Sequence, residues 1–397
     1  MRLTLQVKLL PTKEQAELFA ATQRRYVQLC NYLSVLVYET RITNPHSMYY
    51  IFNRDLRFMF PDIPSAMHAC ARAKVAGAYR ARISNLKRRN RKHLNQPCEF
   101  KASSSVDYNK LLYSSTLNRI SDTSYETKST QPNSSYSTVV LSIASIIGRI
   151  KVDALIPNTV LYKFGSWKQA TLVYRKNTKE WYFLIATEVI EPPLKSYDKY
   201  LGVDMGITNI ATTSDGTIYS GSTIDDKRIK HYAHVRSLQK CNTRSARRRL
   251  SKIRKRMSNF IRTTNHNISK LIVTAAQRSD ACIVLEQLKY LHESLKARKP
   301  QRIRMFGWSY TQLRDFITYK AKLLGISVIS VDPKYSSQTC RECGHTERAN
   351  RHGEYFLCKV CGHSEHADIN AAINLAMLGM VVDHCQEAGL SIPTYSK

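Results

Sequence analysis

The sequence predicts an α/β chain of several domains, and three observations carry that reading. The second half runs strand, strand, strand, helix, strand, helix, strand, helix, with acidic residues after two strands and at the start of the last helix. Two Cys-x-x-Cys pairs, Cys340/Cys343 and Cys358/Cys361, interrupt that half with 14 residues between them. The first half mixes long helical periodicity with hairpin-like strand runs and closes at Pro192-Pro193, where a domain boundary is expected.

Each element has a local cause. Leu3, Leu5, Val7 and Leu9 alternate, as on a half-buried strand. Thr12-x-x-Gln15 reads as a capping box opening a helix to about residue 39, with Leu18, Phe19, Tyr26, Leu29 and Leu33 on its packed face. A further helix starts near Ser65 and runs into a basic end at 72–92, where nine of 21 residues are Lys or Arg. Pro97–Ser135 is rich in Ser, Thr and Asn and is expected to be a long, partly mobile connection. Strand signals return at Tyr136–Val152 and Val160–Phe164, and Ala170–Tyr174 with Trp181–Ala186 form a hairpin. Beyond the boundary, Tyr200–Val203, Ile210–Thr213 and Thr217–Tyr219 are short strands parted by glycine-containing turns. A long helical region covers about 228–279, Ile283–Leu285 is a buried strand and Trp308–Leu324 an amphipathic helix. Val328–Val331 is another strand, the cysteine module covers 336–363, and a final helix spans about 367–380. This is the element order of the RNase H-like fold.

Composition narrows the function. Lys and Arg number 61 against 30 Asp and Glu, a formal charge of +31. Such an excess pushes a compact chain apart unless a polyanion offsets it. The charge is clustered: residues 227–262 carry 14 Lys or Arg and no acid. Arg247, Arg248, Arg249, Lys252, Arg254, Lys255 and Arg256 charge much of one helix, whereas a solvated helical face mixes signs. A nucleic-acid backbone is the expected partner. No apolar run approaches the length of a membrane span, and the N-terminus lacks a signal-peptide core. Ten cysteines in such a chain argue for a reducing compartment, cytosol or nucleoid, rather than a disulfide framework. No obligate protein partner is implied.

Two metal sites are expected. Asp204 follows Leu201–Val203, Glu286 follows Ile283–Leu285, and Asp368 opens the last helix. Singly these are ordinary as a turn residue, a surface charge and a helix-start acid. Together, each after the right element, they form a candidate carboxylate cluster. Two hard divalent ions held by such carboxylates activate water and neutralise the charge that grows during phosphodiester hydrolysis. Mg²⁺, or Mn²⁺ in its place, suits oxygen ligands. Cys340, Cys343, Cys358 and Cys361 have the spacing of two facing knuckles that complete a tetrahedral, structural Zn²⁺ site. His345, His352, His363 and His366 lie nearby, but the cysteines already fill the shell.

The residues also match a family. Tyr200-Leu-Gly-Val-Asp-Met-Gly-Ile207, Val284-Leu-Glu-Gln-Leu288 and Asp368-Ile-Asn-Ala-Ala-Ile-Asn374 resemble the three RuvC motifs of TnpB proteins. Val331–Cys340 is similar to that family's lead-in to its zinc ribbon, and Val7–Thr12 with Gln15 to its N-terminus. Compact type V CRISPR nucleases share the core. The resemblance implies an α/β RNase H-like (RuvC) nuclease core with an inserted zinc ribbon, plus helical recognition and β-rich wedge-like domains. In these terms 11–96 is the recognition domain, and 1–10 with 97–191 the wedge-like domain. The nuclease domain takes 194–335 and 364–380, the ribbon 336–363, and a tail 381–397. The implied activity is Mg²⁺-dependent cleavage of target double-stranded DNA, directed by a structured guide RNA and a short flanking motif. Asp204, Glu286 and Asp368 become the catalytic metal ligands. Tyr50, Arg72 and Lys74, in helical stretches mixing aromatic and basic side chains, are candidates for reading the motif. Two departures stand out: His366-Ala367 replaces the Asp-Arg common before the last motif, and Glu354 replaces an arginine. The rivals are an RNA-guided protein that binds DNA without cutting and a protein-guided recombinase or transposase of the same fold.

Overall fold

The computed structural model describes residues 2–88, 96–115, 136–157, 167–176, 178–189, 191–206, 208–287 and 310–387. The chain divides into two compact units, Met1–Ile190 and Glu191–Lys397, close to the expected boundary.

In the first unit, β1 (Arg2–Leu10) is followed by α1 (Lys13–Thr40), α2 (Pro45–Met59) and α3 (Ser65–Arg88). Then come β2 (Val106–Asn109), β3 (Tyr113–Ser115), β4 (Tyr136–Ser145), β5 (Gly148–Pro157), β6 (Trp167–Arg175) and β7 (Glu180–Glu188). The strands form one antiparallel sheet in the order β2-β6-β7-β1-β5-β4-β3. Leu5, Val7 and Leu9 of the central β1 face the core, as their alternation requires. The Thr12 side chain accepts from the Gln15 N–H while the Gln15 side chain accepts from the Thr12 N–H, so the capping box is formed.

Two expectations change here, and one gains its bounds. Pro97–Ser135 is not wholly a connection: it contains β2 and β3, runs too short to show a period by themselves. Val106 and Tyr108 are nevertheless buried. Tyr136–Val152 is a hairpin of β4 and β5 that turns at Ile146-Ile147. The helical stretch around Tyr50 is bounded as α2, capped by Asn44 with Pro45 in its first turn. Residues 116–135 and Val160–Phe164 lie outside the described residues.

In the second unit, β8 (Lys199–Asp204), β9 (Asn209–Thr213) and β10 (Ile218–Ser220) lead into α4 (Ser222–Cys241) and α5 (Arg244–Ser279). Next come β11 (Ala281–Glu286), α6 (Tyr310–Leu323) and β12 (Val328–Val331). The helical region expected at 228–279 is thus two helices, broken where Asn242 takes a left-handed turn and Thr243 caps α5. The sheet order is β10-β9-β8-β11-β12, antiparallel at β9 and parallel from β8 through β12, as in the RNase H-like fold. Every residue of β11 is buried, as a central strand covered on both faces must be. Ile283 and Leu285 pack with Ile268 and Ile272 of α5 and Leu313 and Ile317 of α6. Val284 packs with Leu375 of α7 (Ala367–Glu387).

The cysteine module holds a small sheet of β13 (Arg351–His352), β14 (Tyr355–Leu357) and β15 (Ser364–His366). It therefore extends three residues past the expected end and runs into α7 without a linker, while α7 continues to Glu387.

Candidate active site and metal centres

The parallel pairing of β8 with β11 puts the C-terminal ends of both strands at one edge of the sheet. Leu285 lies opposite Val203, so Glu286 and Asp204 are neighbours there. The Met205 N–H donates to Glu286 Oε1 at 3.2 Å. Asp368 arrives in the first turn of α7, where the helix dipole favours a carboxylate. Its Oδ2 accepts from Asn209 Nδ2 at 3.0 Å and its Oδ1 from Arg351 Nη2 at 2.7 Å.

Asp204 interacts electrostatically with both of the others. Burial, then the negative charge of Asp368, push the Asp204 carboxyl well above the ordinary range. Burial, then Asp204, do the same to Glu286. Buried carboxylates raising one another's proton affinity need a cation to stay ionised together. The oxygen-rich donor set fits a hard divalent ion. The three oxygens are not as tightly drawn as the thiolates described next. Among the described residues, only the four cysteines form a group of three or more metal-binding side chains with all ligand atoms within 4.8 Å.

How α7 reaches this place is a matter of glycine. A Cβ on Gly202 of β8 would lie 1.9 Å from the Ala372 carbonyl oxygen, and one on Gly379 would lie 2.2 Å from Val284 Cγ2. Backbone therefore meets backbone at Gly202, while at Gly379 the helix backbone seats the Val284 side chain. Asn370 and Asn374, one turn apart, tie α7 to the lead-in of the cysteine module. Asn370 donates to the Thr339 carbonyl and accepts from the Arg341 N–H, while Asn374 donates to the Ser336 and Thr339 carbonyls.

The four cysteines form matched knuckles. In each, the first cysteine's N–H bonds the carbonyl five residues on, from Cys340 to His345 and from Cys358 to His363. Gly344 and Gly362 make the turns at φ +74° and +71°. Sulfurs of Cys340 and Cys361, and of Cys343 and Cys358, stand 3.6 Å apart. A tetrahedral four-thiolate site with Zn–S near 2.3 Å separates its sulfurs by about 3.8 Å, so the set fits Zn²⁺. The Cys361 N–H leads the causes that lower the Cys358 thiol to about 6. His345 and His363 turn instead to Glu347 and Glu365. The core of this module is only Cys340, Phe356, Cys358 and Ala367, so a bound metal would carry much of its stability.

Arg247, Arg248, Arg249, Lys252, Arg254, Lys255 and Arg256 are all exposed on the N-terminal half of α5, whose buried residues begin in earnest only at Asn265. Tyr50 is exposed on α2. Arg72 is buried against Tyr49 and bonds Asn53, and Lys74 pairs with Asp107 at 3.2 Å. Sequence reasoning missed Arg351, Asn209, Asn370 and Asn374. The two α7 asparagines left a signal, a four-residue spacing after Asp368. Arg351 and Asn209 left none, since both act across elements. At the departures, Ala367 is buried in the small core, the His366 Nδ1 accepts from the Asp368 N–H, and a guanidinium reaches Asp368 from Arg351.

Strand order, the acidic edge and the inserted thiolate cluster define an RNase H-like α/β protein carrying a ribbon module. Comparison narrows the class. Residues 310–375 match the family model of the Cas12f1-like TNB domain. The chain is 37% identical over 131 residues to a CRISPR-associated endodeoxyribonuclease Cas12f1 of Sulfoacidibacillus thermotolerans, covering 32% of this chain and 29% of that one. It is 24% identical over 196 residues to a TnpB-like protein of Methanocaldococcus jannaschii, covering 46% and 68%. The fold is similar to that of the mini-RNA-guided endonuclease CRISPR-Cas_phi3, with TM-score 0.55, 11% identity, and coverage of 100% and 94%. The resemblance to TnpB proteins and compact CRISPR nucleases is thereby borne out. The chain spans about half the length or less of the curated endodeoxyribonucleases it matches. No helix among the described residues is long and apolar enough to cross a membrane.

Proposed function

We propose that the protein is an RNA-guided DNA endonuclease that hydrolyses both strands of its target with two Mg²⁺ ions. The observation that carries this reading is the convergence of Asp204, Glu286 and Asp368 at one edge of an RNase H-like sheet, where burial and a neighbouring carboxylate push Asp204 and Glu286 upward. A protein that only binds DNA has no use for three converging carboxylates. Those residues would hold the ions, which activate water and neutralise charge on the phosphate when bound. Asn209 and Arg351 fix the Asp368 carboxylate, and the Met205 N–H fixes that of Glu286. The four cysteines hold one structural Zn²⁺.

The domain roles follow the same reading. The sheet of 1–10 and 97–191 serves as the wedge-like domain and the helices of 11–96 as the recognition domain, gripping guide RNA. The nuclease domain takes 194–335 and 364–380, with the ribbon at 336–363. The basic run of α5 meets phosphates, giving affinity without sequence, while base pairing supplies specificity. Motif reading falls to the α2–α3 region that bears Tyr50, with Arg72 and Lys74 supporting it from within. The test is Asp204→Ala, Glu286→Ala and Asp368→Ala, each assayed with co-purified RNA and a matched target. Each abolishes cleavage and leaves RNA and target binding intact. Near-parent cutting by any one removes that residue from the assignment.

A further inference from the structure

All three carboxylates answer to one short segment. Asp204 is the last residue of β8, and the Met205 N–H after it donates to Glu286 Oε1 at 3.2 Å. Asn209, where β9 begins, donates from Nδ2 to Asp368 Oδ2 at 3.0 Å. Between them the chain turns tightly. The Gly206 N–H donates to the Asn209 carbonyl at 3.0 Å, and a Cβ on Gly206 would lie 2.9 Å from that oxygen. The Thr208 carbonyl accepts from the Gly221 N–H just ahead of α4. A side chain of α6 holds the turn as well. Tyr310 opens that helix and heads its buried stripe of Leu313, Ile317 and Ala321. Its ring packs against the core that includes Met205 and Ile210, and its hydroxyl donates to the Gly206 carbonyl at 2.8 Å.

We propose that Tyr310 is a positioning residue for the carboxylate trio, holding through the Gly206 carbonyl the segment on which all three depend. The inference deepens the nuclease reading and rests on it. The close approach to Asn209 leaves no room for a Cβ at position 206, and glycine, which meets that demand, has the freest backbone torsions of any residue. The residue that permits the turn therefore also leaves it soft. Rotation there redirects the Met205 N–H on one side and the Asn209 side chain on the other. Pinning the carbonyl removes that freedom. The pin is itself rigid, because the ring is seated in the core and only the hydroxyl reaches out. Packing alone asks for no oxygen on this ring, and among the described residues the hydroxyl bonds the Gly206 carbonyl alone. Tyr310 acts through the segment and not on the reacting atoms.

Tyr310→Phe keeps the ring and deletes the bond. In the full chain with its co-purified RNA, the variant melts within about 2–4 °C of the parent, since a single hydrogen bond is lost. It binds RNA and matched target as the parent does, but at saturating target it cuts about tenfold to a hundredfold more slowly. Mn²⁺ gives a readout that needs no cleavage. Its binding to the full chain freed of nucleic acid is followed by loss of the free-ion paramagnetic resonance signal, and the ions missing from Asp204→Ala are those held by the trio. Tyr310→Phe weakens that binding by about tenfold. Replacing Tyr310 by 4-aminophenylalanine, which restores a donor on the same ring, recovers both readouts. Parent-like cutting or Mn²⁺ binding by Tyr310→Phe, beside an inactive Asp204→Ala, overturns the proposal and leaves the nuclease reading standing. So does a loss that the amine fails to restore, or one shared equally by RNA binding and melting, because the tyrosine is then a core residue only. An Asp204→Ala protein that cuts and binds Mn²⁺ like the parent overturns the nuclease reading itself, and the role of Tyr310 with it.

Discussion

Replacing Gly202 by alanine tests whether the contact of α7 with β8 places the third carboxylate. The added methyl would lie 1.9 Å from the Ala372 carbonyl oxygen and 2.7 Å from the Ala376 nitrogen, both backbone atoms that no rotamer change can move. Ordinary contact needs 3.4 Å or more, so α7 must retreat by about 1.5 Å. Overpacking of this kind costs about 1–3 kcal/mol. For a unit of this size that lowers the melting temperature by roughly 2–4 °C per kcal/mol. The larger effect falls on catalysis. Asp368 sits one turn before Ala372 on the same helix, and a displacement of about 1 Å in a reacting group costs on the order of a hundredfold in rate. The assay pairs a melting curve with Mg²⁺-dependent cleavage of a matched target. Gly77→Ala in α3 is the control: nothing lies within 4 Å of its added Cβ, so helix propensity makes it neutral to stabilising by up to about 1 kcal/mol. A Gly202→Ala protein with parent-like melting and cutting would show that backbone contact at this point does not position Asp368.

Asp204→Asn removes a carboxylate charge that burial and then repulsion from Asp368 disfavour, so it should abolish cleavage yet stabilise the metal-free protein by about 1–3 kcal/mol, read by melting without divalent ions at pH 7 or above. A lower melting temperature would refute that charge cost. Cys358→Ser should release about one zinc per chain and reduce stability or solubility, checked by elemental analysis of parent and variant. A zinc-free parent would sink the ribbon reading. Converting Arg247, Arg248 and Arg249 together to alanine should flatten the plot of log affinity against log salt by about two to three units, equally for matched and mismatched targets. An unchanged slope would make the run a solvated face.

What could be read from sequence depended on how far each cause reaches along the chain. The capping box at Thr12 and Gln15 and the alternation of β1 act within a few residues, and both appear as expected. The carboxylates were legible because strand ends mark themselves: Val203 then Asp204, Leu285 then Glu286. The thiolates were legible because each knuckle is local. β2 and β3 were not, since four and three residues complete too few alternations to show a period. Arg351 and Asn209 were not, because each meets Asp368 from a distant strand. The split of α4 from α5 turns on the left-handed backbone of Asn242, a conformation that asparagine tolerates but does not announce.

The placement of the ribbon has a physical logic that its distance from the other carboxylates conceals. Helix α7 approaches its sheet closely at Gly202 and Gly379, and its buried large anchor, Leu375 against Val284 and Val331, lies about two turns beyond Asp368. Its first turn, where Asp368 stands, therefore needs a brace from outside the sheet. The ribbon supplies one on each side: β15 runs straight into Ala367, and the lead-in before Cys340 is clamped by Asn370 and Asn374. Arg351, on the ribbon's first strand, then reaches the Asp368 carboxylate. The third carboxylate is thus aimed by the sheet through Asn209 and by the ribbon through Arg351. A module whose own core is four residues can serve as such a brace only when its thiolates are tied together, which ties the order of Asp368 to the cysteine cluster.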